Sequence, residues 1–242
     1  MAEIIIPSDS SSIIPSVDPH QVTEVELPFR IIKLLDESHP IIHKEPVHWQ
    51  FGVNPDPKRM HDVMLENMVY HRGLGLSANQ IGMPVKVFAM RVDDSDNAIV
   101  CFNPKIIKES DETVMMKEGC LSYPELYLNV KRPQAIEGTY QNADGDEINV
   151  HFEGLAARIF HHEMDHMEGN TFLNRVSRVF LQSARRKQKV LLRKQKKKTK
   201  SNFIVTPSYD KNLEEIKEII EKGQTKWKNK LKNLDLVENK KD

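Results

Sequence analysis

Cysteine is scarce in this sequence, with two in 242 residues, Cys101 and Cys120. That count excludes a disulfide-built scaffold, fits a reducing compartment, and leaves a thiol free to bind metal. No apolar run approaches the roughly 20 residues that a bilayer-spanning helix requires, so no membrane partner is expected. The opening Met1-Ala2-Glu3 lacks the basic start of a signal or transit peptide, which makes the cytoplasm the expected location. Net charge is also missing, because 35 Lys and Arg balance 35 Asp and Glu, yet the basic excess gathers after residue 174. There is no internal repeat. With 29% charged and 39% hydrophobic residues, the composition is that of a soluble globular chain. The length suits one well-cored domain with extensions at either end.

Residues 1–26 mix Ile-rich pieces with Ser, Pro and Asp and hold no period, so they read as an extension with at most an edge strand. Met60, Val63, Met64, Met68 and Val69 recur at three- and four-residue steps, which predicts an amphipathic helix over 57–72 ending before Gly73. Short β-prone runs follow at 85–92 and 98–102. The stretch 130–152 reads as two strands joined across Asn142-Ala143-Asp144-Gly145. Leu155, Ala156, Ile159 and Phe160 then set a helical period that runs on through His162 and His166. The basic run 185–200, opening on Arg185 and closing on Lys200, is expected to project from the core. Charged residues alternate with Leu213, Ile216, Ile219, Ile220, Leu231 and Leu234 over 212–236, predicting one or two amphipathic helices.

His162-Glu163-Met164-Asp165-His166 matches His-Glu-x-x-His on a predicted helix, where i, i+4 spacing brings both imidazoles onto one face. Two nitrogens can then reach one cation, and Glu163 stands where a carboxylate takes a proton from activated water. Two such histidines can equally be solvated surface residues, so the motif needs a third ligand. A third histidine downstream would fall at position 172, which is Phe172. A downstream glutamate is missing too, because none occurs between Gly169 and Asn212, and Glu168 is too close along the helix. Upstream, Glu118-Gly119-Cys120-Leu121-Ser122 offers a thiol beside a glycine, and Cys120 becomes the best candidate. A thiolate with two imidazoles suits Zn(II) or Fe(II). Taken alone, Cys120 would read as a small buried apolar residue, and Cys101, between Val100 and Phe102, is read that way.

Three segments in order, Gly73-Leu74-Gly75-Leu76-Ser77-Ala78-Asn79-Gln80, Glu118 to Ser122, and His161 through Gly169, resemble the peptide deformylase family. The likeness spans roughly residues 28 to 180. It implies that Cys120, His162 and His166 are metal ligands, that Glu163 is the proton-transfer residue, and that the Gln80 amide and Leu121 N–H stabilise an oxyanion. The implied substrate is an N-formylmethionyl peptide, hydrolysed to release formate. Leu74, Gly75, Glu118 and Gly119 would border the extended peptide, and Met116, Leu155 and Ile159 would surround the methionine side chain, with Arg158 nearby. Two departures from the family pattern are His161, where Gln is usual, and Ser77, where Ala is commoner.

Together these readings imply an α+β fold, with small, mostly antiparallel β-sheets around a central helix carrying the His-Glu-x-x-His motif and a helical C-terminal extension. The expected organisation is an N-terminal extension 1–26, a deformylase-like catalytic domain 27–182, and a basic and amphipathic extension 183–242. The basic run is expected to contact ribosomal RNA, or to be only a solvated extension. A zinc peptidase and a catalytically retired RNA-binding or ribosome-binding protein are the competing readings. Formate release from a formyl peptide with casein left intact would separate the first of these.

Overall fold

The computed structural model describes residues 31–93 and 97–201, with the backbone alone for 196–201. The readings made for 1–26 and 212–236 lie outside the described residues. Helix α1 (Pro57–Tyr70) starts where the Asp56 side chain accepts the Lys58 N–H and Pro57 supplies a preset φ. It stops where Arg72 turns left-handed (φ 56°) and the Gly73 N–H reaches back to the Met68 carbonyl. Its Met60, Val63, Met64 and Met68 are buried, the predicted stripe.

Strands β1 (Gly75–Ser77), β2 (Val87–Arg91), β3 (Ala98–Glu109), β6 (Ala135–Gln141) and β7 (Glu147–Glu153) form one antiparallel sheet in the order β1-β2-β3-β6-β7. The β6–β7 hairpin turns at the predicted Asn-Ala-Asp-Gly stretch, where Gly145 has φ 89° and its N–H bonds the Asn142 carbonyl. A separate two-stranded sheet pairs β4 (Thr113–Cys120) with β5 (Tyr123–Pro133).

The continuous apolar run of β2 marks a strand covered on both faces. Val87 and Ala89 join α1, Val100 and Phe102 in one core, while Phe88 and Met90 join Ile99, Cys101 and Phe160 in a second. The second core belongs to helix α2 (Gly154–Met167), which carries the His-Glu-x-x-His motif. Cys101 is fully buried there, as its apolar neighbours predicted. A third cluster of Tyr123, Leu126, Leu128, Val130 and Phe172 packs the β5 strand against Leu181 and Ala184 of helix α3 (Arg178–Ser201).

The basic run departs from its expectation, because α3 begins at Arg178, crosses the expected boundary at 182/183, and lies along β5. Leu181, Ala184, Arg185, Gln188 and Leu192 share one helical stripe turned inward. Gln188 donates to the Pro124 carbonyl at 2.8 Å, and Arg185 pairs with Glu37 and sits over the Tyr123 ring at 5.8 Å. Charge alone hid this stripe, since it uses Arg and Gln as inward residues.

Candidate metal centre and active site

Two elements bring the three expected ligands together. Helix α2 presents His162 and His166 one turn apart, with ring centroids 5.5 Å apart. Cys120 is the last residue of β4, where a register shift after Gly119 re-aims the chain toward the helix. Its Sγ lies 3.4 Å from His166 Nε2, and one donor atom from each of the three residues falls within 4.8 Å of the others.

The surroundings of these donors suit a divalent cation. Glu118 Oε2 lies 3.1 Å from His162 Nδ1, an arrangement that places the proton on Nδ1 and leaves Nε2 as a lone-pair donor. Burial opposes charge on His162, yet hydrogen bonds to Cys120 and Glu118 hold its pKa well above the ordinary value. The negative field that favours a proton there favours a dication equally. Burial, with His162 close by, takes the His166 pKa down to about 3, so that ring stays a neutral donor. A thiolate and two imidazoles gathered in this way fit zinc or ferrous iron by their chemistry.

Glu163 is buried next to these ligands. Burial raises its pKa above the usual carboxylate range, against the lowering influence of His162 and of a hydrogen bond from Ser77. The Ser77 Oγ donates to Glu163 Oε2 at 2.6 Å. On the other side, a Cβ on Gly75 would collide with Glu163 Oε1, so any larger residue here would force the carboxylate or its neighbours to shift.

Gln80 sits in a short 3-10 turn, Ala78–Ile81, directly after β1. The Ser77 N–H binds its side-chain carbonyl at 2.9 Å, which turns the amide nitrogen outward to Cys120 Sγ and Ser122 Oγ, each at 3.2 Å. Leu121 follows Cys120 in the turn between β4 and β5, with its side chain packed against the first core. The proton-transfer candidate, the amide donor and the three ligands thus share one buried site.

The expected substrate-contact residues divide into two groups. Leu74, Leu155 and Ile159 line a cavity of about 530 Å³, together with Val69, Arg91 and Glu153. Gly75 is not among its walls, although a Cβ there would meet Ile159, which is. Met116, Glu118, Gly119 and Arg158 are not among its walls. Gly119 lies exposed under the Tyr127 ring, and Met116 is half-buried on β4.

Glu118 and Arg158 are each about 5% exposed and belong to a buried ionic network. Arg132 makes a two-pronged contact with Glu118 at 2.7 and 2.8 Å, and also reaches Asp165 at 2.8 Å. Arg158 donates to Glu118 at 2.9 Å, and Arg175 pairs with Asp165 from the far side.

Sequence reading missed four residues around the site: Ser77, Asn79, Arg132 and Asp165. Asn79 anchors α2 by donating to the His166 carbonyl at 3.1 Å. Ser77, Asn79 and Asp165 lie inside the quoted motifs, so a signal existed for them. Nothing local marked Arg132, twelve residues past the cysteine on an alternating strand.

Residues 31–180 match the family model described as polypeptide deformylase. The chain belongs to the peptide deformylase family. Among curated relatives, a peptide deformylase of Bartonella henselae is 36% identical over 146 residues, covering 59% of this chain and 79% of the relative. One from Thermotoga maritima is 38% identical over 120 residues, covering 50% and 72%. Among solved structures, the peptide deformylase of Thermotoga maritima superposes with a TM-score of 0.58 at 31% identity, covering 61% of this chain and 99% of that one. Arabidopsis thaliana peptide deformylase 1B, solved with an inhibitor, gives 0.61 at 33% identity, covering 69% and 94%. Peptide deformylases are enzymes that remove the N-formyl group from newly made peptides, and the α+β architecture is theirs. Among the described residues no helix is long and apolar enough to cross a membrane.

Proposed function

We propose that this protein hydrolyses the formyl amide of N-formylmethionyl chains, using a divalent metal held by Cys120, His162 and His166. The observation that carries the reading is the convergence of those three donors beside Glu163 and the Gln80 amide. When bound, the cation supplies a Lewis acid that acidifies water and polarises a carbonyl. Glu163, its pKa raised by burial, takes the proton from the attacking water and returns it to the departing amine. Water and formamide thereby become formate and a free amino terminus. The Gln80 amide, turned into the site by Ser77, and the Leu121 N–H meet the charge that develops on the formyl oxygen. One such donor is commonly worth about 3 kcal/mol in the transition state.

Leu74 and Gly75 on one side and Gly119 on the other would flank the extended peptide, with backbone hydrogen bonds like those of an added strand. The methionine side chain would enter the cavity walled by Leu74, Leu155 and Ile159. The metal is Fe(II) or Zn(II), the two ions that this donor set suits. Residues 27–182 form the catalytic domain in this reading, flanked by extensions 1–26 and 183–242. Two free thiols suit action in the cytoplasm.

Helix α3 carries no acidic residue from Arg178 to Ser201, and its exposed Arg186, Lys187, Lys189, Arg193 and Lys194 suit ribosomal RNA. Cosedimentation with ribosomes at low and high salt tests that contact, with all five residues changed to Gln expected to abolish it. The hydrolytic reading is tested by formate release from formyl-Met-Ala-Ser after anaerobic purification, alongside metal analysis. Glu163→Ala is expected to keep the metal and lose turnover, and casein is expected to stay intact. Metal-loaded wild type that releases no formate would refute the reading.

A further inference from the structure

Among the described residues the hairpin that carries Cys120 shares no ladder with the five-stranded sheet, and the backbone bonds Ser110 N–H to the Ala135 carbonyl and Gln134 N–H to the Glu112 carbonyl join only its base to β3 and β6. Beyond that base a two-stranded ribbon holds its place poorly, and side chains join it to α2, which carries the other two candidate ligands. Arg158 lies on α2 one turn before His162, on the same face. Its Nη1 donates to the Val130 carbonyl on β5 and to Glu118 on β4, both at 2.9 Å, and its Nη2 donates to the Val114 carbonyl on β4 at 2.5 Å. One planar guanidinium therefore grips both strands of the hairpin. Through Glu118 it also supports the carboxylate that orients His162.

Resting on the metal-site reading above, we propose that Arg158 is a positioning residue for the metal centre, setting the spacing between the hairpin that holds Cys120 and the helix that holds His162 and His166. Methionine at 158 would fill similar volume and leave Glu118 paired with Arg132, so no carboxylate is stranded. What it would remove is the tie to the two strand carbonyls. Lysine keeps the charge but cannot reproduce the fork that serves three acceptors at once.

The test measures zinc affinity and release rate by competition with a chromogenic chelator, together with melting of the metal-free protein. Arg158→Met is expected to weaken zinc binding by about tenfold or more and to speed release, in the range known for groups that orient metal ligands. Arg158→Lys should fall between it and wild type. If Arg158→Met binds zinc within twofold of wild type, whatever its melting temperature, the proposal is overturned. Should Arg158→Met fail to fold, Arg158→Lys decides alone, with parity overturning the idea and a several-fold loss supporting it. Cys120→Ala is run in parallel and is expected to lose zinc by far more. A Cys120→Ala protein that binds zinc like wild type would refute the metal-site reading itself, a result distinct from parity at position 158.

Discussion

The hydroxyl of Ser77 and the carboxylate of Glu163 meet at 2.6 Å, both buried and 86 residues apart in the chain. The same serine holds the Gln80 side chain through its backbone N–H. One residue thus fixes the proposed base and the proposed oxyanion donor together. Ser77→Ala keeps the N–H and loses only the hydroxyl, about 1 kcal/mol of hydrogen bonding. Turnover is expected to fall roughly three- to tenfold with KM unchanged, and Ser77→Thr should restore much of it. Formate release under saturating and limiting substrate gives both constants. Equal kcat in wild type and alanine variant would mean that packing alone holds Glu163.

Gly75 closes the other side of that carboxylate. A methyl group there would meet Glu163 Oε1 at 2.3 Å and Ile159 Cγ2 at 2.9 Å, distances at which something must move. Ser77 restrains Oε2, so the carboxylate cannot swing aside without losing its hydrogen bond. Gly75→Ala is therefore expected to lower kcat at least a hundredfold, within the span assigned to general acid-base catalysis. Overpacking should also lower stability by about 1 to 3 kcal/mol, read by urea unfolding. A variant retaining a tenth of wild-type turnover would contradict this geometry.

Much of this site was legible because helical spacing is a short-range rule. His162 and His166 had to share a face of any helix through them, and the motif named Glu163 as well. The stripe of α1 and the turn at Asn142 to Gly145 followed from period and turn chemistry in the same way. The network around Glu118 was not legible, since Arg132, Arg158, Asp165 and Arg175 meet only after α2 docks on the hairpin. Glu118 and Arg158 were read as substrate-site residues, and their pairing with each other and with Arg132 depends on side-chain directions that the sequence does not display. The docking of α3 was hidden because Arg185 and Gln188 do the work expected of apolar residues, through long stems and amide hydrogen bonds.

The two thiols differ enough to be told apart chemically. Cys101 is fully buried in the second core and burial alone pushes its pKa up, so it is a poor nucleophile. Cys120 is half-buried beside two histidines. Metal-stripped native protein treated with iodoacetamide is expected to take one label, on Cys120, and denatured protein two. Saturation with zinc should slow the native reaction at least tenfold, because a ligated sulfur is engaged. Peptide mapping that finds Cys101 modified in the folded protein would refute the assignment.

Asp165 makes acid the weak side of this fold. Burial pushes its pKa up, but Arg175 and Arg132 outweigh that and leave the carboxyl below its ordinary value of 3.8. Glu118 is likewise held down by Arg132 and His162 against its burial. A carboxyl with a depressed folded pKa adds stability that is fully present above its unfolded pKa and is lost as pH falls toward the folded one. The share of stability that these two carboxyls supply should thus be constant from pH 7 to about 5 and decline below about 4, where unfolded carboxyls begin to bind protons. Arg175→Ala removes one of the two partners of Asp165 while Arg132 remains, so the expected loss at pH 7 is about 1 to 3 kcal/mol. That deficit should shrink only as pH falls below 3.8 toward the depressed folded pKa of Asp165, since a protonated Asp165 gains little from a second guanidinium. Urea unfolding of both proteins at steps from pH 7 down to about 2.5 measures it, and a deficit that stays constant or grows to the lowest pH at which both fold would show that Arg175 acts through packing instead.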